Sequence, residues 1–152
     1  METVMNRLVL LTATVTILLT SCAGKYTNEV FGNDIVLDDG CSVNISSENQ
    51  SITYAPQFEA TQDCRLVTHE HTNILNIKYV NGQYVFFLES NQVDGEDCTS
   101  EYTALGISND GDLYVTDFIK NSGSCYQNQE QNAFEYFSAK LQKYQKANND
   151  GN

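Results

Sequence analysis

Between Ile35 and Phe118 the chain is a succession of short strand-like runs, none longer than seven residues, broken by turn-forming pairs. The runs are Ile35–Leu37, Ser42–Ser46, Ser51–Tyr54, Arg65–His69, Ile74–Val80, Tyr84–Glu89, Tyr102–Ser108 and Leu113–Phe118. Runs this short, rich in β-branched and aromatic residues, suit strands and leave no room for a helical period. Asn81-Gly82 stands between two of them, and this pair favours a tight hairpin because both turn positions need a positive φ. Within Ile74–Val80 the alternation puts Leu75, Ile77 and Tyr79 on one face. Asn109-Asp110-Gly111 marks a second hairpin, joining Glu101–Ser108 to Asp112–Phe118. The pattern predicts a mainly β fold, an antiparallel meander forming a sandwich or a small barrel.

The period changes near the C-terminus. In Ala133–Ala147 the apolar residues Phe134, Phe137, Leu141 and Tyr144 recur at spacings of 3, 4 and 3, which is one face of a helix. Glu130 and Glu135 near its start and Lys140, Lys143 and Lys146 near its end suit the helix macrodipole. The narrow bulky stripe predicts a C-terminal amphipathic helix that closes the β domain rather than one lying on a membrane surface. The domain is expected over residues 34–147, followed by a disordered tail at 148–152.

The N-terminus has another character. Leu8–Leu19 is an apolar run of twelve residues, which as a helix reaches only ~18 Å against the ~30 Å of a hydrocarbon core. It fits the apolar region of a secretory signal over residues 1–21. Leu19-Thr20-Ser21-Cys22 then resembles the lipobox of bacterial lipoproteins. The resemblance implies a lipidated Cys22, cleavage just before it, and anchorage in the cell envelope through acyl chains. Ala23, where the family's inner-membrane signal is Asp, implies the outer membrane. Glu2 offsets Arg7, so the leader is less cationic than the family's usual one. Residues 22–33, which lack periodicity, are expected to be the lipidated Cys and a short tether.

With Cys22 given to lipid, Cys41, Cys64, Cys98 and Cys125 remain, an even number for an oxidising compartment. None forms a Cys-x-x-Cys pair, so redox and zinc-knuckle chemistry is not indicated. Three pairings are open, and the second hairpin favours one of them. Cross-strand partners about its turn have residue numbers totalling about 220, and Cys98 with Cys125 total 223. The expected disulfides are therefore Cys98–Cys125 and, by elimination, Cys41–Cys64.

Catalytic constellations are scarce. His69-Glu70-His71 would place two imidazoles on one face of a strand, but no third metal ligand accompanies them, so a polar strand end is the expectation. Acidic clusters at Asp38-Asp39-Gly40, Asp94-Gly95-Glu96-Asp97 and Asn109-Asp110-Gly111-Asp112 coincide with turns and lack the twelve-residue calcium-loop pattern. There is no nucleophile elbow and no glycine-rich phosphate loop. The sequence thus predicts a non-enzymatic protein without metal or other cofactor.

Eight basic and twenty acidic residues give a net charge of -12, which excludes a phosphate-tracking nucleic-acid binder. An acidic body can instead steer a basic protein partner by long-range attraction. Candidate contacts are the turn carboxylates Asp94, Glu96, Asp97, Asp110 and Asp112. Ser122-Gly123-Ser124, with Tyr126 just beyond, resembles the Ser/Gly-rich inhibitory loop of membrane-bound inhibitors of c-type lysozyme. That resemblance covers about five residues, is interrupted by Cys125, and implies a lysozyme-like basic partner. Two classes of function follow: an acidic module that captures a basic protein such as a lysozyme or toxin, or a structural or assembly lipoprotein of the outer membrane.

Overall fold

A computed structural model describes residues 27–145 apart from 49, 62, 127 and 128. The signal segment, Cys22 and the C-terminal tail lie outside the described residues. In chain order the elements are β1 (Thr27–Val30), β2 (Asn33–Leu37), β3 (Val43–Ser46), β4 (Ser51–Tyr54), β5 (Asp63–Leu66), β6 (Lys78–Val80), β7 (Gln83–Asp94), β8 (Asp97–Ser108), β9 (Leu113–Val115), β10 (Lys120–Ser122), α1 (Gln131–Ser138) and β11 (Gln142–Lys143). Half of the described residues are strand and 7% helix, so the fold is mainly β, with two antiparallel sheets and, among the described residues, no closed barrel.

β1 to β4 form a four-stranded meander in sequence order. The second sheet is built on β7 and β8, twelve residues each, joined at Gly95-Glu96. Each long strand carries two short ones on its outer edge: β6 and β5 on β7, β9 and β10 on β8, with β11 beyond β9. The first sheet packs on one face of this platform. Val30, Ile35, Val43, Ile45 and Tyr54 meet Phe86, Leu88, Leu105 and Ile107 there, all buried. On the other face α1 lays Phe134 and Phe137 against Val85, Phe87 and Ala104. Phe87 meets both helix rings edge-on, at centroid distances of 4.8 and 5.2 Å. Such pairs gain beyond simple area burial. Tyr84–Leu88 therefore reads as an unbroken apolar run because both faces are covered.

Several expectations are met in detail. Asn81 and Gly82 form the tight turn with φ of 52° and 81°, and Asn81 Nδ2 also donates to Ser138 Oγ, tying that turn to the helix. Both disulfides are as expected: Cys41–Cys64 and Cys98–Cys125, with Cα separations of 5.4 and 5.6 Å. Partner numbers total 220 where β9 pairs β8 and 222 where β10 does. Continuing the second register brings Cys98 opposite Ser124, next to Cys125.

Other expectations are corrected. Thr27–Val30, placed in the tether, is a paired edge strand, because Phe31 and Gly32 adopt φ of 51° and 74° and close a hairpin lacking the usual Asn-Gly signature. Asn33 stabilises that turn by donating from Nδ2 to the Val30 and Phe31 carbonyls. Ile74–Val80 is not one strand. Only Lys78–Val80 pairs with β7, Leu75 makes an isolated bridge to Thr68, and Tyr79 is exposed. The strand expected over Leu113–Phe118 ends at Val115, since Thr116–Ile119 absorb the two-residue register offset that keeps inner and outer faces in phase.

The terminal helix is also shorter than Ala133–Ala147. It stops at Ser138, and Gln142–Lys143 pairs with β9. Phe134, Phe137 and Leu141 share one core as the period implied, but the chain turns at Ala139 and delivers Tyr144 to the other. Lys140 and Lys143 thus lie past the helix and do not meet its dipole, and Lys146 lies outside the described residues. Gly106 accommodates this closing segment: a Cβ there would sit 2.9 Å from Leu141 Cδ1.

Candidate partner-binding surface

The sheet-on-sheet core covers only the near half of β7 and β8. Beyond Leu88 the pair continues as Glu89–Asp94 and Asp97–Tyr102, and its outer turn is polar. Asp94, Glu96 and Asp97 are all exposed there, with Gly95 at φ 64° allowing the tight reversal. Asp94 and Asp97 are direct cross-strand partners. Like charges in that position repel, so the arrangement disfavours the turn it closes. Val93, 61% exposed, stands beside them as an apolar contact point.

More carboxylates join this end. Asp63 pairs with Asn91 across the β5–β7 ladder, and Glu101 pairs with Ser90 across β7–β8. Glu59, in the segment after β4, donates its backbone N–H to Glu101 Oε2 at 2.7 Å. Asp110 and Asp112 lie at the opposite end of β8, separated from Asp97 by about 35 Å at the usual rise per strand residue. Asp112 is moreover bonded to Lys143, whose ammonium pKa it raises by accepting a hydrogen bond. The five candidate carboxylates therefore form two separate sites. Asp94, Glu96 and Asp97 belong with Glu59, Asp63 and Glu101, three residues that sequence patterning did not select.

Each described cation has a contact on the fold, although Lys120, Lys140 and Lys143 are exposed. Arg65 bonds Glu89, with Nη2 at 2.8 Å and Nε at 2.9 Å from Oε2. Lys78 donates to Gln131 Oε1 and covers the Phe134 ring. Lys120 lies 5.9 Å over Tyr102, and Lys140 lies over Tyr136 and Phe118. The outer acids thus keep their field.

Glu89 is 1% exposed, a charge read from sequence only as the end of a strand. Its second oxygen accepts the Tyr126 N–H at 2.8 Å, so the buried carboxylate is hydrogen-bonded on both sides. Tyr126 sits at φ 58°, its ring 5.0 Å beneath the Arg65 guanidinium. Its hydroxyl donates to Asp63 Oδ2 at 2.8 Å, which pushes the phenol pKa up. Together with Cys98–Cys125 this pins the loop Ser122–Tyr126, which carries the Ser-Gly-Ser triplet, onto the outer half of the hairpin. Ser100 Oγ adds a bond to the Ser124 carbonyl at 2.9 Å.

Beside the loop a cleft of about 350 Å³ opens between Glu59, Gln92, Thr99, Glu101, Asn121 and Ser122. His69-Glu70-His71 is remote in character from this surface. It forms an exposed turn with His71 at φ 61°, not a strand, so the shared-face argument for two imidazoles does not apply. Among the described residues no three His, Cys, Asp or Glu side chains are grouped to hold a metal ion. Nor is any described helix long and apolar enough to cross a membrane. Comparison with known proteins gives no match to a protein-family model, to a curated protein or to a solved structure.

Proposed function

We propose that the chain is a lipid-anchored protein of the bacterial envelope, held through Cys22 to the outer membrane, whose acidic β domain captures a basic protein such as a lysozyme or toxin. The observation that carries this reading is the outer end of the β7–β8 hairpin. Asp94, Glu96 and Asp97 are exposed around one turn, two of them opposed at a cost in stability, while Arg65 is paired with Glu89 and Lys120 lies over Tyr102. An uncompensated acidic prominence of this kind raises the on-rate for a cationic partner. A second reading, a structural or assembly lipoprotein, draws on the opposite end, where Phe31 and Tyr79 are 63% and 57% exposed around Tyr84. Neither reading involves catalysis.

The test is surface binding of the protein to a panel of basic envelope-active proteins, including c-type lysozyme, at 0.1 M and 1 M salt. Shortening the Debye length from ~10 Å to ~3 Å should slow association, and the variant Asp94→Asn/Glu96→Gln/Asp97→Asn should slow it at low salt with the fold intact. Binding indifferent to both changes, or no binding at all, would leave the structural reading ahead.

A further inference from the structure

The cleft beside the acidic turn has a defined chemistry. By strand alternation Ser90 and Gln92 share a face with their partners Glu101 and Thr99, the face that the first sheet covers farther along at Phe86 and Leu88. The cations close in sequence lie on the other face. Arg65 is bound to Glu89, and Lys120 covers Tyr102, whereas Asn121, its neighbour on β10, reaches the cleft. The lining is therefore two carboxylates, Glu59 and Glu101, amid hydroxyl and amide groups, with no described cation among them. Glu101 is partly buried, and the 2.7 Å bond from the Glu59 N–H fixes its carboxylate. One wall is held by the Cys98–Cys125 bridge through Thr99 and the Ser122–Gly123 segment.

We propose that this cleft receives one cationic side chain of the protein partner, an arginine by preference, with Glu101 as its principal acceptor and Glu59 at the rim. This rests on the capture reading and assigns it a docking point. A guanidinium presents five donors in a plane and needs several fixed acceptors, which carboxylate, hydroxyl and amide oxygens supply here. A charge held against a carboxylate already fixed in the cleft governs the off-rate, whereas the exposed turn at Asp94–Asp97 governs the on-rate. The two acidic features thus divide the work of encounter and retention.

The experiment titrates the full chain, followed by its amide NMR spectrum, with N-acetyl-arginine amide, N-acetyl-lysine amide and the neutral isostere N-acetyl-citrulline amide at 0.15 M salt. The arginine probe should move the Thr99, Glu101, Asn121 and Gly123 amides saturably, the lysine probe more weakly, and the citrulline probe not at all. Glu101→Gln, which keeps an acceptor for the Glu59 N–H, should weaken arginine binding about tenfold. Glu59→Gln serves as a second variant in case the first disturbs the fold, and it should weaken binding by a smaller factor. Equal shifts with citrulline, or an arginine affinity unchanged in both glutamine variants, would overturn the cleft. If a basic protein is captured in a salt-sensitive way yet the probe does not enter, the cleft fails and the capture reading stands. If the probe enters but no basic protein binds, the reverse holds.

Discussion

The two halves of the β7–β8 hairpin share one continuous ladder and are held by different physics. In the near half Val85–Leu88 and Thr103–Ile107 are buried on both faces, between the first sheet and α1. Each fully buried large apolar side chain there stabilises by about 1.5–3 kcal/mol. In the outer half that covering is gone, and order comes from a disulfide, the Arg65–Glu89 pair and bonds to the Ser122–Tyr126 loop. A polar segment fixed by such local contacts can carry exposed charge without endangering the core, which is what a rigid recognition surface requires.

The largest expected effect lies in the near half. Phe87→Ala removes the ring that contacts Tyr102, Phe134 and Phe137 and should destabilise by about 3–5 kcal/mol. Denaturant unfolding measures it. A loss below about 1 kcal/mol would mean that α1 contributes little, and the contrast between halves would collapse.

The next effect belongs to the outer half. Replacing Cys98 and Cys125 together with Ser opens a bridge spanning 27 positions and should cost about 3.5 kcal/mol in the chain-entropy model. Hydrogen exchange should then localise the change. Amides of Thr99, Ser122 and Tyr126 should lose protection, while those of Phe86–Leu88 keep an opening energy equal to global stability. Uniform loss across both halves would show that they open as one unit.

That bridge also shows what the sequence makes legible. The Asn109–Gly111 turn set the register from which Cys98–Cys125 followed, because pairing about a turn is arithmetic. The Asn81-Gly82 hairpin and the acidic turn at Asp94–Asp97 were legible for the same local reason: turn chemistry is written in a few adjacent residues. What depends on tertiary contact was not. The outer halves of β7 and β8 lack alternation because one face meets a loop rather than a core. β1 hinges on Phe31-Gly32, a pair with no strong turn preference, and is fixed by Asn33. The end of α1 has no glycine or proline to mark it; pairing of Gln142–Lys143 with β9 decides it. The candidate surface was half legible: its turn carboxylates could be named, but Glu59, Asp63 and Glu101 join them only through the ladder and one backbone bond.

The smallest expected effect discriminates the halves by pH. Tyr126 is the one phenol of the outer loop, and its hydroxyl donates to Asp63. That bond, with the nearby carboxylate charge, raises its pKa above the ordinary value near 10. The folded state therefore holds this proton more tightly than the unfolded one. Its contribution is fully present below the unfolded value and is lost as pH rises through the native one. Because the ring is largely exposed, solvent screening keeps the effect on stability small. It should nevertheless be visible site by site, with tyrosines labelled at the ring Cζ and followed by NMR. Tyr126 should titrate above the ordinary phenol range, and Asp63→Ala should bring it down. Amides of Ser124 and Cys125 should shift along the same curve, while those of Val85–Leu88 stay still through it. Titration of Tyr126 at the ordinary value, untouched by Asp63→Ala, would remove the hydroxyl from the contacts that hold the loop. Arg65–Glu89 and the disulfide would then be left to order the outer half.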